Sequence, residues 1–254
     1  MIDAKKLLDG FLGGNGQGTD GLVGKGKDYL SQHGGGLAGG ALAGGLAGYM
    51  LGSKKGRKLG KKAVQYGGMA LVAGLAYKAY RDWQSGSPAA SGQAPSSSVP
   101  QAGHTTPVAA PMEGELLPPP QGSPFDPQTV DADGASLGVK LVTAMIAAAK
   151  ADGSIDAEEH RRIFEKIGLL DLSGDEKAFL MDELGAPLDI TRIVESATNQ
   201  EEAVEIYTAS VLAIEPDHPA EQAYLQMLAA RFGLEPALTE HIHAAIAVAA
   251  EPVA

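Results

Sequence analysis

Glycine stands at residues 36, 40, 44, 48, 52, 56 and 60, every fourth position through GLAGGALAGGLAGYMLGSKKGRKLG. Glycine is a poor helix former in water, about 1 kcal/mol worse than alanine. In lipid a lone segment must satisfy its backbone groups internally, and helix is then its only conformation. A stripe without side chains is an asset there, because it lets a second backbone approach closely. The run from Tyr29 to Ser53 holds no Asp, Glu, Lys or Arg, and neither does the run from Ala63 to Tyr77. Between them SKKGRKLGKK carries six basic residues. A spanning helix needs roughly 20 apolar residues and at least about 17. The first run is long enough, and the second requires Lys62 and Lys78 to snorkel. These features predict a glycine-zipper membrane hairpin over residues 34–83, packed along Gly36, Gly40, Gly44, Gly48 and Gly52. The same stripe offers a homo-oligomer contact. In the second arm Ala63, Gly67, Ala70 and Gly74 supply the matching small residues, leaving Val64, Leu71, Val72 and Leu75 for lipid. Tyr66, Tyr77, Tyr80 and Trp83 are expected at the headgroup level.

Charge divides the chain in the same place. Residues 1–85 hold 12 Lys/Arg against 5 Asp/Glu, and residues 86–254 hold 8 against 26. The basic part suits an anionic lipid surface, and the acidic part argues against nucleic acid as a partner. The absence of cysteine excludes disulfides and thiolate metal sites. The start of the chain does not read as a cleaved signal, because Asp9 interrupts its short apolar run. Within residues 1–33, Leu7, Leu8, Phe11 and Leu12 share one helical face, which can rest on a bilayer interface or on the protein itself. The basic loop favours the cytoplasmic side, but Lys25, Lys27, Lys78 and Arg81 oppose that inference, so topology stays open. Residues 84–130 hold ten of the fifteen prolines and almost no charge. Such a composition cannot bury enough apolar area to offset ordering entropy, and a disordered linker is expected there.

From residue 131 to 254 the periodicity is helical, and the fold class is all-α. Leu137, Leu141, Val142, Met145, Ile146 and Ala149 form one apolar stripe, and Leu238, Ile242, Ala245, Ile246 and Ala249 another. Three capping boxes are predicted, Asp156 with Glu159, Ser173 with Glu176 and Asn199 with Glu202. Pro219 and Pro236 suit first-turn positions. Seven helices follow, near 133–150, 157–167, 174–184, 190–197, 200–214, 219–232 and 236–249.

Two junctions, KADGSIDAEE and AIEPDHPAEQAYL, each end an apolar helix with an acid and begin another helix rich in acids. The first carries the pattern A-D-G-x-I-D-x-x-E as Ala151, Asp152, Gly153, Ile155, Asp156 and Glu159. The second carries Tyr224, Leu225, Leu228, Ala229, Gly233 and Leu234 after Asp217 and Glu221, with Glu215 at a position where aspartate is usual. In these blocks and in its layout the chain resembles the YebE-like inner-membrane protein family of unknown function, with a TerB-like (tellurite-resistance) C-terminal domain. The resemblance implies an all-helical domain, an address in the bacterial inner membrane, and an acidic patch that takes cations. Asp152, Asp156, Glu159, Glu215, Asp217 and Glu221 are therefore candidate ligands for a divalent cation, with oxygen-only chemistry favouring Mg²⁺, Ca²⁺ or Mn²⁺. Capping explains Asp156, Glu159 and Glu221 without a metal. It leaves Asp152 and Glu215, which sit where a helix dipole disfavours negative charge. The stretch is not an EF-hand, since counting from Asp152 the sixth position is Ala157 and the twelfth Ile163. His160, His218, His241 and His243 have no cysteine companions and form no evident zinc site or nucleophile and base pair. No catalytic residues are assigned and no enzymatic activity is expected. Two functions are expected in its place: a membrane-anchored interaction or sensing module acting on an unidentified protein partner, or a divalent-cation-binding protein of envelope or tellurite stress.

Overall fold

The computed structural model describes residues 2, 3, 6–8, 68–87, 119, 120, 122–126, 137–153, 163, 167, 172–214 and 218–250. Their regular structure is entirely helical. Seven helices are described end to end: α1 (Gly68–Gln84), α2 (Leu137–Ala149), α3 (Gly174–Gly185), α4 (Ile190–Ser196), α5 (Gln200–Ala213), α6 (Pro219–Phe232) and α7 (Pro236–Ala250). Ile163 and Ile167 are also helical and buried, four residues apart within the helix expected over 157–167.

The centre of the molecule is α5. Every residue from Glu202 to Ala213 is buried, as expected of a helix with no continuous polar face. Its most extensive packing is with α2, and α1, α6 and α7 also lie against it. In turn α7 packs chiefly on α1, while α3 and α4 lie on α2. The apolar stripes read from the sequence face this core: Leu137, Leu141, Val142, Met145 and Ile146 on α2 are at most 2% exposed, and Leu238 and Ile242 on α7 are fully buried.

Helix ends are set locally. The Ser173–Glu176 box is complete, with Glu176 N donating to Ser173 Oγ at 3.3 Å and Ser173 N to Glu176 Oε2 at 2.7 Å. Asp189 caps α4 by accepting from Arg192 N at 3.1 Å. Gly233 ends α6 in the left-handed region at φ +67, a conformation that carries no steric cost for glycine.

Three expectations about the first half of the chain are corrected or decided here. Residues 68–83, expected to form the second arm of a membrane hairpin, lie in α1, which is seated in the core against α5 and α7. Leu71, Val72 and Leu75, assigned above to lipid, are at most 1% exposed within the protein. A short apolar run suits a buried core helix as well as lipid, and Ala63 to Tyr77 is shorter than the minimum for a span. No helix among the described residues is long and apolar enough to cross a membrane. The remainder of the hairpin, including Gly36, Gly40, Gly44, Gly48 and Gly52, lies outside the described residues.

The aromatic cluster is the second correction. Tyr77 and Tyr80, expected at lipid headgroups, pack on Phe125, with ring centroids 5.8 and 5.3 Å away. Phe125 is 3% exposed. The end of the proline-rich tract therefore docks, through Phe125, onto the C-terminal half of α1. Finally, Leu7 and Leu8 are fully buried in the same core, and Asp3 N donates to Glu176 Oε1 at 2.9 Å. Of the two surfaces open to that apolar face, these leucines take the protein.

Candidate functional site

Asp152 follows α2 and is exposed, and Gly153 turns the chain at φ +121. Lys150, two residues before Asp152, donates from Nζ to the carbonyl of Glu183 at 3.0 Å and to that of Ala186. Those carbonyls belong to the C-terminal end of α3, where a cation satisfies orphan acceptors and opposes the helix dipole. Arg192 closes the same corner with a two-pronged hydrogen bond to the Glu183 carboxylate. Burial, followed by the nearby Arg192 charge, holds the Lys150 ammonium below its ordinary value against the pull of Glu183. At the second junction Glu221 accepts from His218 N at 3.5 Å, and the His218 ring accepts from Ala220 N at 3.2 Å. Glu221 thus serves the capping box that opens α6.

Of the six candidate cation ligands, the structure describes Asp152 and Glu221. Asp156, Glu159, Glu215 and Asp217 lie outside the described residues. No group of three or more His, Asp or Glu side chains among the described residues is arranged to hold a metal. His243 Nε2 lies 3.1 Å from the Tyr207 hydroxyl, and His241 is buried on α7.

A polar cluster that the sequence reading did not single out lies between α2 and α5. Lys140 Nζ donates to Glu202 Oε2 at 3.0 Å, with both side chains less than 10% exposed. Asn199 Oδ1 accepts from Glu202 N at 2.8 Å, as a capping box requires. Glu202 does not return to Asn199 N, however. Its Oε2 accepts from Thr198 N at 3.0 Å, one residue further back. The expected box is half formed, and the carboxylate spans the helix entrance and the α2 lysine. Burial alone would raise the Glu202 carboxyl, but the Thr198 amide and Lys140 outweigh it and hold it below its ordinary value.

One turn along α5, Glu205 is fully buried and neither carboxyl oxygen has a hydrogen-bond partner. Burial, reinforced by the negative charge of Glu202, pushes it up to about 8. Displaced titration of this kind clusters at functional sites, although structural networks produce it too. The signal was present in the sequence: Glu205 interrupts AVEIYTASVLA, a run otherwise without charge. A glutamate on a helix with no polar face is buried with it.

The profile of a family described as a protein of unknown function (DUF533) matches residues 36–246. The chain belongs to the DUF533 family. In this DUF533 protein the matched span takes in the glycine tract, α1 to α6 and most of α7, so α1 and the helices it packs against fall within one family unit. An uncharacterized protein in the ampR 5′ region of Yersinia enterocolitica is 32% identical over 89 residues, covering 35% of this chain and 64% of that relative's own length. No solved structure matches the chain. DUF533 membership is consistent with the YebE-like resemblance.

Proposed function

We propose that this protein is a membrane-associated, non-enzymatic interaction or sensing module of the bacterial inner membrane. In this reading the basic, glycine-rich segment engages anionic lipid and the helical domain meets a protein partner. The observation that carries it is the position of α1. The helix that follows the basic block 54–62 is a core element packed on α5 and α7. In this reading α1 is the element through which an event at the glycine-rich segment would reach the core, which is the coupling a sensing module needs. The TerB-like assignment of the domain belongs to the same proposal and rests on the A-D-G-x-I-D-x-x-E pattern.

Fractionation tests it. The full chain should sediment with membranes at low ionic strength, and a chain beginning at residue 64 should move to the soluble fraction. Recovery of the full chain in the soluble fraction refutes the reading. Within the glycine stripe, Gly44→Leu or Gly48→Leu should weaken association between copies of the chain more than Leu46→Ala.

The divalent-cation reading rests on the run of acids at the two junctions in the sequence, of which Asp152 stands exposed just beyond the C-terminal end of α2, where the dipole supplies no stabilisation. Millimolar Mg²⁺, Ca²⁺ or Mn²⁺ should then raise the melting temperature beyond the effect of ionic strength. An unchanged melt leaves these acids as caps and solvated surface.

A further inference from the structure

We propose that Glu205 is a proton-binding site that controls the packing of α5: protonated, the carboxyl stays in the core, and ionised, it forces α5 to loosen until water reaches it. The proposal is independent of the membrane reading.

The geometry carries it. Glu205 is 0% exposed, and every residue on its helix from Glu202 to Ala213 is buried with it. Neither oxygen has a hydrogen-bond partner. The nearby buried cation, Lys140, is already engaged by Glu202 at 3.0 Å, and Glu202 is itself negative. Among the described residues, the titratable and charged groups on the other helices packed against α5 place no hydrogen-bonded counter-charge on it either. On α1, Lys78 and Arg81 pair with Asp82. Tyr224 on α6 and His241 and His243 on α7 make no hydrogen bond to either Glu205 oxygen. A buried carboxylate without a partner is strongly disfavoured and neutralises instead.

The ligand that fits is a proton and not a metal ion. An oxygen-bound divalent cation takes six or more ligands, and no cluster of three or more candidate side chains converges here among the described residues. A proton requires none. It removes the charge, and the neutral acid remains in an apolar setting at a smaller cost. Burial together with Glu202 sets the carboxyl at about 8, so the two states exchange within the physiological range.

The test uses the full-length chain in mild detergent, comparing wild type with Glu205→Gln, which keeps the shape and removes the titration. Urea unfolding is followed from about pH 5 to about pH 9. One proton held by the fold and released on unfolding raises the unfolding constant up to tenfold per pH unit. The ratio of wild-type to Glu205→Gln unfolding constants should therefore climb up to tenfold per unit toward pH 8 and then level off. Taking the ratio cancels the histidines, which are present in both chains. Amide exchange along α5 should accelerate over the same interval in wild type alone. In parallel, the infrared carboxylic-acid band of wild type should persist at pH 7, vanish above the transition, and be missing from the variant. A flat ratio, or a wild-type spectrum without a protonated carboxyl at pH 7, overturns the proposal. If Glu205→Gln does not fold, the infrared titration of wild type decides it.

Discussion

The interior contact between α2 and α5 and the half-buried corner between α2 and α3 use the same side chains, lysine and carboxylate, in opposite ways. At the corner, Lys150 holds backbone carbonyls, Arg192 grips Glu183, and Asp152 faces solvent. Water and neighbouring dipoles can replace any of these partners. Inside, Lys140 and Glu202 have each other at 3.0 Å, and Glu205 has no hydrogen-bond partner. Near the surface a charge costs little, and surface pairs contribute about 0–1 kcal/mol. In the core each charge has to be matched or discharged, and Glu202 and Glu205, a turn apart, take the two different solutions.

The largest break in this picture comes from removing a wall of the interior. A fragment of residues 131–254 lacks α1, exposing the faces of α5 and α7 that Leu71, Val72 and Leu75 cover. It should lose the cooperative melt of the full chain in circular dichroism. A single sharp transition at an unchanged temperature would return α1 to the role of separate anchor.

Next in size is the contrast between the two lysines. Lys140→Met leaves Glu202 buried without its cation and should destabilise by about 3–5 kcal/mol. Lys150→Met removes hydrogen bonds at a half-buried corner and should cost about 1–2 kcal/mol. Chemical denaturation of both variants measures the difference, and equal costs would erase the distinction between interior and corner.

The pH profile sharpens the comparison further, because the signs oppose. Glu176 and Glu202 titrate below the ordinary glutamate value of 4.5 in the fold. The unfolded chain therefore takes up protons first as pH falls, and the stability they contribute is present above 4.5 and lost below it. Glu205 is raised, so the folded state holds its proton more tightly. Its contribution is complete below 4.5 and is lost as pH climbs to about 8. Taken alone, these three groups give a stability maximum on the acid side of neutrality. A maximum displaced to alkaline pH in thermal melts would contradict the assignment.

The smallest expected effect is at the corner itself. Asp152→Asn removes a negative charge beyond the C-terminal end of α2 and should stabilise by a few tenths of a kcal/mol in the absence of divalent ions. Destabilisation of 1 kcal/mol or more under those conditions would mean that Asp152 has a structural partner.

Much of the helical architecture was legible in the chain. The ends expected for 174–184, 190–197, 200–214, 219–232 and 236–249 lie within a residue of those observed. Caps and apolar periods act over three or four residues, and Ser173, Asn199 and Pro219 mark helix starts by local chemistry alone. The candidate site was less legible. Glu202 read as a capping partner, which is half of its role, because Lys140 stands 62 residues earlier. Glu205 could be seen as an anomaly in an apolar helix, but nothing local says whether a distant cation will meet it.

What the sequence by itself determined is therefore where helices begin, which face of each is apolar, and that the two halves of the chain carry opposite charge. What the tertiary structure decided is what covers those faces. Leu71, Val72 and Leu75 on α1 are equally satisfied by lipid tails or by α5 and α7, since the hydrophobic effect is non-directional and scales with the area removed from water. Only the arrangement of the other helices distinguishes the two. It buries α1 and Phe125 in one core, gives Lys140 to Glu202, and leaves Glu205 to keep its proton.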